Sequence, residues 1–352
     1  MTARYTPVGW NRSKIVYDAV LLAAITLYIL IYVRLGPQLQ PAQLPQDPPT
    51  QAIDAYGTCA FLLITLVLCI GPLARLDRRF APLAYNRRHF GVLTLAVATG
   101  HVWQAIDWYF SYGKLPIAEA LLVLDSSFFQ LHGFPYIPFG LVAFIILCVL
   151  AFTSHDFWLR FLTPPVWKSL HMAIYAAYAL IVLHIAVGAM QGSSNPLLAM
   201  VVAAGVTLVC TLHLAAGRRQ RRLDGVVALA SDEGWFDAAA VSEIADSAGI
   251  VVNLPNADSV AIFRNGDGLS AISNRCAHQN GPLGEGRVID GCVTCPWHGY
   301  QYRLEDGCAS PPYTEKLATY RLRVAGDRVL LDPNPNAPGT RVEPVRIPTG
   351  KI

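Results

Sequence analysis

Six uninterrupted apolar runs, at about residues 15–35, 52–73, 89–110, 136–153, 168–190 and 197–216, constrain this chain more than any other feature. A run of about 18 or more apolar residues is satisfied in lipid only as a helix, because each backbone N–H and C=O must find its partner within the segment. The runs predict six transmembrane helices, the fourth the shortest. Composition agrees, since 53% hydrophobic and 14% charged residues are too apolar for a soluble chain of 352 residues. The first run is expected to stay as an anchor: it is long, contains Asp18 and is followed by Arg34, not by a small-residue cleavage site.

Positive charge orients the bundle, because Lys and Arg concentrate in cytoplasmic loops. Arg4, Arg12 and Lys14 precede the first run, and Arg75, Arg78, Arg79, Arg87 and Arg88 lie between the second and third. Arg160 and Lys168 lie between the fourth and fifth, and Arg218, Arg219, Arg221 and Arg222 follow the sixth. All four groups fall on one face, while residues 111–135 on the other carry only Lys114. Both termini, and everything after residue 217, are therefore expected in the cytoplasm of a bacterium, with the bundle in its inner membrane. A net charge of +3 with no Lys/Arg run interleaved with aromatics argues against nucleic acid. Lipid is the expected surrounding partner.

Ionisable residues within membrane spans are costly and point to function. His101 lies on the third run, and His171 and His184 lie on the fifth, 13 residues or about 20 Å apart along a helix. Neutral imidazole is the natural axial ligand of a b-type haem, and the spacing allows one or two haems across the membrane. Gly91, Ala98, Gly100 and Gly188 leave room for a flat macrocycle. His155 and His213 read as helix-end residues and His132 as structural or acceptor-side, while Cys59, Cys69, Cys148 and Cys210 read as small apolar packers.

The stretches "YNRRHFGVLTLAVATGHVW", "PYIPFGLVAFIILCVLAFTS" and "WKSLHMAIYAAYALIVLH" resemble the ferric-reductase-like transmembrane domain, above all the haem-binding subunits of bacterial protein-methionine-sulfoxide reductases. The similarity covers about residues 50–217; its specific parts are Arg-Arg-x-x-Gly-x9-His and His-x12-His. It implies that His101 and His184 ligate an outer haem and that His171 belongs to an inner one. A fourth ligand departs from the wider family: the position 14 before His101 is Arg87, and the nearest substitute, His89, sits about 120° away around an ideal helix. The 13-residue spacing of His171 and His184 is itself about 140° off one face, so it requires a local irregularity or haems on opposite sides.

After "RRQRRLDG" the pattern changes to short alternating segments with Gly, Asn and Asp at turns, which predicts a small all-β domain. The predicted organisation is a membrane haem domain at 1–217, a basic linker at 218–230, a β-domain at 231–335 and a tail at 336–352. Within the β-domain, Cys276-x-His278 is followed by Cys295-x-x-His298. Zinc fingers group Cys with Cys and His with His. Here each loop supplies one of each, which suits a Rieske [2Fe-2S] cluster with two thiolates on one iron and two imidazoles on the other.

Residues 225–332 resemble the Rieske domain, with "CAHQNGPLGEG" and "CPWHG" as cluster loops and "GCASPPY" as the covering loop. Respiratory Rieske proteins carry a disulfide and a Ser hydroxyl near the cluster, but here the corresponding positions are Gly281, Trp297 and Tyr300. With fewer donors to its sulfurs, the cluster is expected near about −150 mV, not +300 mV. Tyr302 keeps an aromatic neighbour, and Cys292 and Cys308 read as free thiols. No mononuclear-iron set of two His and a carboxylate remains for an oxygenase.

The chain is thus expected to be multidomain, an all-α six-helix transmembrane haem bundle plus a small all-β Rieske domain. The expected function is that of an oxidoreductase or electron-transfer subunit. Electrons would come from a cytoplasmic ferredoxin or flavin reductase, or from quinol, and leave to ferric iron, oxygen or a periplasmic redox partner. The alternative is a quinol-fed haem subunit serving a periplasmic reductase, with the Rieske domain as side branch or exit.

Overall fold

The computed structural model describes residues 12–39, 48–80, 83, 86–112, 136–155, 158, 161–162, 164–192, 196–224, 229–230, 234–255, 259–277, 280–296, 300–310 and 313–348. The chain divides into two compact units, with the boundary at Ala215 and Ala216.

The first unit is helical. It comprises α1 (Arg12–Leu39), α2 (Pro48–Leu76), α3 (Arg87–Tyr112), α4 (Ile137–Phe152), α5 (Pro164–His171), α6 (Ala173–Val187), α7 (Ala189–Gly192) and, up to Ala215, α8 (Pro196–Asp224). Four segments among the described residues are long and apolar enough to cross a membrane: Lys14–Gly36, Pro48–Leu76, Val166–Gln191 and Leu197–Arg219. The predicted fourth span is a 16-residue helix, α4, shorter than the about 20 residues that a bilayer needs. The predicted third span, α3, has 26 residues, but Arg87, Arg88, His89, His101 and Asp107 dilute its apolar character. Six apolar runs are therefore six helical regions, of which four qualify as spans.

The fifth run is broken twice, at Met172 and Gly188, so α5, α6 and α7 together replace one straight helix. Met172 N–H is shared between the carbonyls of Lys168 and Ser169 (3.0 and 3.2 Å). This is a tightened turn between His171 and His184.

Helix α2 packs along α3, and α4 along α6. Phe61, Ile64, Leu68 and Cys69 of α2 meet Tyr178, Val202 and Val209 in one apolar cluster. Ile25, Cys59, Leu63, Ile70, Phe90 and Val97 form a second. Large apolar side chains such as Val20, Trp103, Phe110 and Met200 point outward, as lipid-facing surfaces do. Of the four membrane cysteines, Cys59 and Cys69 are buried packers, Cys148 is half-buried and Cys210 exposed.

The second unit is all-β. Strands β2 (Phe236–Ala240), β10 (Leu322–Ala325) and β11 (Arg328–Leu331) form a sheet edged by β1 (Leu229–Ala230). Strands β3 (Gly249–Val252), β4 (Val260–Asn265), β5 (Gly268–Ser273) and β12 (Val345–Arg346) form a second, with β9 (Thr319–Tyr320) also on β5. The third is small: β6 (Arg287–Ile289), β7 (Cys292–Thr294) and β8 (Gln301–Arg303).

Side chains alternate across a strand, and β4 uses both faces. Val260 and Ile262 enter one core with Leu269, Val329 and Leu331. Ala261 and Phe263 enter the other with Cys276, Cys295, Tyr300 and Tyr302. The second sheet is thus a floor beneath the segments that carry the cysteines.

Two predicted boundaries shift. The basic segment expected as a linker continues α8 to Asp224, and residues expected as a tail add β12 to β5 through Val345 and Leu269.

Asp306 ties down the turn after β8. It accepts hydrogen bonds from Arg303 Nε (3.1 Å) and Cys308 N–H (2.9 Å). Burial alone would raise its carboxyl pKa, but the hydrogen bond from Arg303, and then that from Cys308, hold it below the ordinary value. A depressed folded-state pKa contributes stability above the unfolded value, about 3.9, and that stability is lost as pH falls through the folded one. Asp306→Asn is accordingly expected to lower the urea midpoint of this domain at pH 7, and the gap from wild type should close below about pH 4. A gap unchanged between pH 7 and 3.5 would refute this.

Candidate metal centres

The cysteine loops of the β-domain each close on themselves. In the first, Cys276 N–H donates to Gly281 O (2.9 Å), Asn280 N–H to Cys276 O (2.7 Å) and Leu283 N–H to Asn274 O (2.8 Å). Asn274 Oδ1 also accepts from Gly284 N–H (2.8 Å). Asn280 takes the left-handed conformation (φ 57°), which Asn tolerates better than most residues. In the second, Cys295 N–H donates to Tyr300 O (2.7 Å), folding the loop back onto β8. A third segment closes through Ala309 N–H to Glu315 O and Leu317 N–H to Gly307 O. A Cβ at Gly307 (φ 66°) would lie 2.6 Å from Leu317 O, so only glycine fits there.

Cys276 and Cys295 form no disulfide, are 1% and 2% exposed, and share one core. Tyr302 Oη lies 3.5 Å from Cys276 Sγ. Burial, then the charge of Cys276, pushes the Tyr302 phenol above its ordinary pKa, so it keeps its proton and can donate to sulfur. Tyr300 Oη donates to Glu315 Oε2 (2.7 Å). His278, His298 and Trp297 lie outside the described residues. Among the described residues no three His, Cys, Asp or Glu side chains converge on one point. Two buried cysteines that share one core are the residue type that the thiolate half of an iron–sulfur site uses.

In the helical unit, His101 of α3 and His184 of α6 face each other. Their ring centres are 6.2 Å apart and the rings are nearly perpendicular, at 82°. Nδ1 of His101 lies 3.0 Å from Ile53 O, and Nδ1 of His184 lies 2.9 Å from Tyr136 O. A carbonyl oxygen only accepts, so each Nδ1 carries the proton and each Nε2 keeps its lone pair. Metal–imidazole bonds run about 2.0–2.1 Å and a ring nitrogen sits about 1.2 Å from its ring centre, so two imidazoles on opposite sides of one metal ion would have centres about 6.4 Å apart. The observed separation is close to that value.

Comparison with known proteins agrees with this division. Residues 56–182 match the model of the ferric reductase like transmembrane component, and residues 234–321 match that of the Rieske [2Fe-2S] domain. The chain joins a ferric reductase-like transmembrane domain to a Rieske domain. It is 33% identical over 86 residues to the 3-phenylpropionate/cinnamic acid dioxygenase ferredoxin subunit of Shigella flexneri, covering 24% of this chain and 81% of that protein. It is 40% identical over 73 residues to the anthranilate 1,2-dioxygenase ferredoxin subunit of Burkholderia cepacia, covering 20% and 66%. It is 28% identical over 153 residues to the magnetosome protein MamZ of Paramagnetospirillum magneticum, covering 43% of this chain and 22% of MamZ.

The remaining histidines of the ferric reductase-like domain are placed differently. His171 stacks on Trp167 (ring centres 3.6 Å apart), with Nδ1 3.0 Å from Trp167 O and Nε2 3.4 Å from Ser154 Oγ. His89 Nδ1 pairs with Asp18 Oδ2 of α1 at 2.7 Å, and Asn86 Nδ2 donates to Asp18 Oδ1. His213 is engaged by Tyr175 Oη and Val209 O. His132 lies outside the described residues. Sequence reasoning did not find the roles of Ile53 and Tyr136, because a backbone carbonyl has no side-chain signature. Asp18, an acid inside an apolar run, was the available signal for the partner of His89.

Proposed function

We propose that this protein is a membrane electron-transfer oxidoreductase of a bacterial inner membrane. In this reading His101 and His184 are the axial ligands of a b-type haem towards the outer face. Cys276, His278, Cys295 and His298 hold a [2Fe-2S] cluster in a cytoplasmic Rieske domain. The bound groups supply a one-electron carrier in each of the two units. A cytoplasmic ferredoxin or flavin reductase is the donor, and an outer-face acceptor such as ferric iron, oxygen or a periplasmic redox partner takes the electrons.

The observation that carries this reading is the facing pair of imidazoles, each with its Nδ1 proton committed to a backbone carbonyl. The direction is supported by the Lys and Arg pattern, which assigns everything after residue 217 to the cytoplasm. It is also supported by Tyr300, whose hydroxyl donates to Glu315 where respiratory Rieske proteins direct a Ser hydroxyl at the cluster. A low-potential cluster suits delivery to haem better than uptake from quinol.

His101→Ala or His184→Ala in the purified full chain is expected to remove the b-type absorption of this haem. Full haem content in both variants would overturn the assignment. A haem-to-protein ratio of about two would add an inner site at His171 with His89 as a further candidate, whereas a ratio near one leaves both in the contacts described above.

A further inference from the structure

Two helical hairpins hold the two imidazoles in the same way. In the α2–α3 hairpin, Nδ1 of His101 meets the carbonyl of Ile53; in the hairpin of α4 with α5–α6, Nδ1 of His184 meets the carbonyl of Tyr136, the N-cap residue just before α4. In both, the histidine follows its carbonyl by 48 residues. In both, a glycine stands four residues after the carbonyl, Gly57 and Gly140. In both, that glycine is what the ring rests on. A Cβ at Gly57 would lie 3.0 Å from Nδ1 and Cε1 of His101, and one at Gly140 would lie 2.8 and 2.9 Å from the same atoms of His184.

Helix geometry explains the four-residue offset. A helical side chain leans towards the N-terminus and covers the turn before its own Cα, where the carbonyl four residues back is exposed. Glycine at that position leaves the carbonyl open to a donor from a neighbouring helix. Both carbonyls thereby reach an imidazole that approaches from outside their own helix.

We propose that the two hairpins are an internal repeat, with a carbonyl at n, a glycine at n+4 and a histidine at n+48, and that Gly57 and Gly140 are positioning residues for the two haem ligands. They fix the tautomer and the tilt of each ring, so that Nε2 is the nitrogen presented to iron. The proposal rests on the reading of His101 and His184 as axial ligands. Partners of this kind alter metal affinity about 10- to 100-fold in other metal sites.

The test uses the full chain in detergent, with haem content, the low-spin haem spectrum and the midpoint potential as readouts. Gly140→Ala is expected to shift the spectrum and potential and to weaken haem retention about 10-fold or more. Gly57→Ala, with its slightly longer contact, is expected to do the same to a smaller degree. Gly205→Ala serves as a control for Gly57→Ala: its Cβ would press on Phe61 at 3.1 Å, a contact comparable to that at Gly57, with no imidazole among the nearest atoms, and wild-type haem behaviour is expected. Positioning and general packing damage are separated by His184→Gly, in which added imidazole should restore the haem. In the double variant Gly140→Ala/His184→Gly, imidazole should restore it equally, because a free ring is not tethered against the methyl group introduced at position 140.

Wild-type spectra and potentials in both glycine variants would overturn the proposal. So would failure of imidazole in the double variant when it succeeds in His184→Gly alone. If His101→Ala and His184→Ala keep their haem, the ligand assignment itself fails; if they lose it while the glycine variants are unchanged, only the positioning role falls.

Discussion

Cys295→Ser is expected to abolish reduction of the haem by a reduced soluble ferredoxin while leaving its reduction by dithionite intact. Cys295 is 2% exposed, its N–H is committed to Tyr300 O, and it follows directly on β7 of the small β6–β7–β8 sheet. Serine is close in size, and the fold should survive, but an alkoxide is a far poorer ligand for iron than a thiolate. Two irons and two sulfides per chain, with the low average g value of mixed His/Cys ligation, should vanish together. Cys276→Ser and His298→Ala should give the same result. Stopped-flow traces with ferredoxin and with a quinol analogue separate the two directions of flow. Fast haem reduction by quinol, with the cluster reduced afterwards, would replace the proposed direction with the quinol-fed alternative. One zinc and no sulfide in the wild-type protein would remove the redox reading of this half.

Phe263→Ala is expected to destabilise the Rieske domain by about 3–5 kcal/mol, at least a 100-fold shift in its folding equilibrium. Phe263 is 0% exposed and lies on the face of β4 that supports both cysteine loops. Its ring fills the space over Gly249, where even a Cβ would lie 2.5 Å from it. The surrounding strands are paired on both sides, β4 with β3 and with β5, so little collapse into the cavity is available. Urea unfolding followed by bleaching of the cluster should show a much lower midpoint, whereas haem absorption of the helical unit should persist. A midpoint within experimental error of wild type would contradict the placement of Phe263 in this core.

How much of this was legible in the sequence differs between the halves. The β-domain was readable because its chemistry is local: two short loops each place a Cys and a His within a few residues, and the strands around them alternate with period two. The helical half was readable as apolar runs, but the runs alone did not separate a membrane crossing from a shorter helix, as α4 illustrates. The departures at residues 218–230 and 336–352 have a similar origin. After Gly217, "RRQRRLD" has no Gly or Pro, so α8 continues through it, and β12 is only two residues long, too short to leave an alternating pattern.

By itself, the sequence determined the residue types that can bind metal and their division between an apolar helical half and a small β half. Each depends on neighbours along the chain, and propensity and spacing act at that range. Only the tertiary structure decided that Met172 breaks the fifth run, that Asp18 pairs with His89, and that the carbonyls of Ile53 and Tyr136 reach His101 and His184 past Gly57 and Gly140. Those contacts join residues 48 or 71 positions apart. They depend on how closely two helices approach, which no pattern along a single helix records.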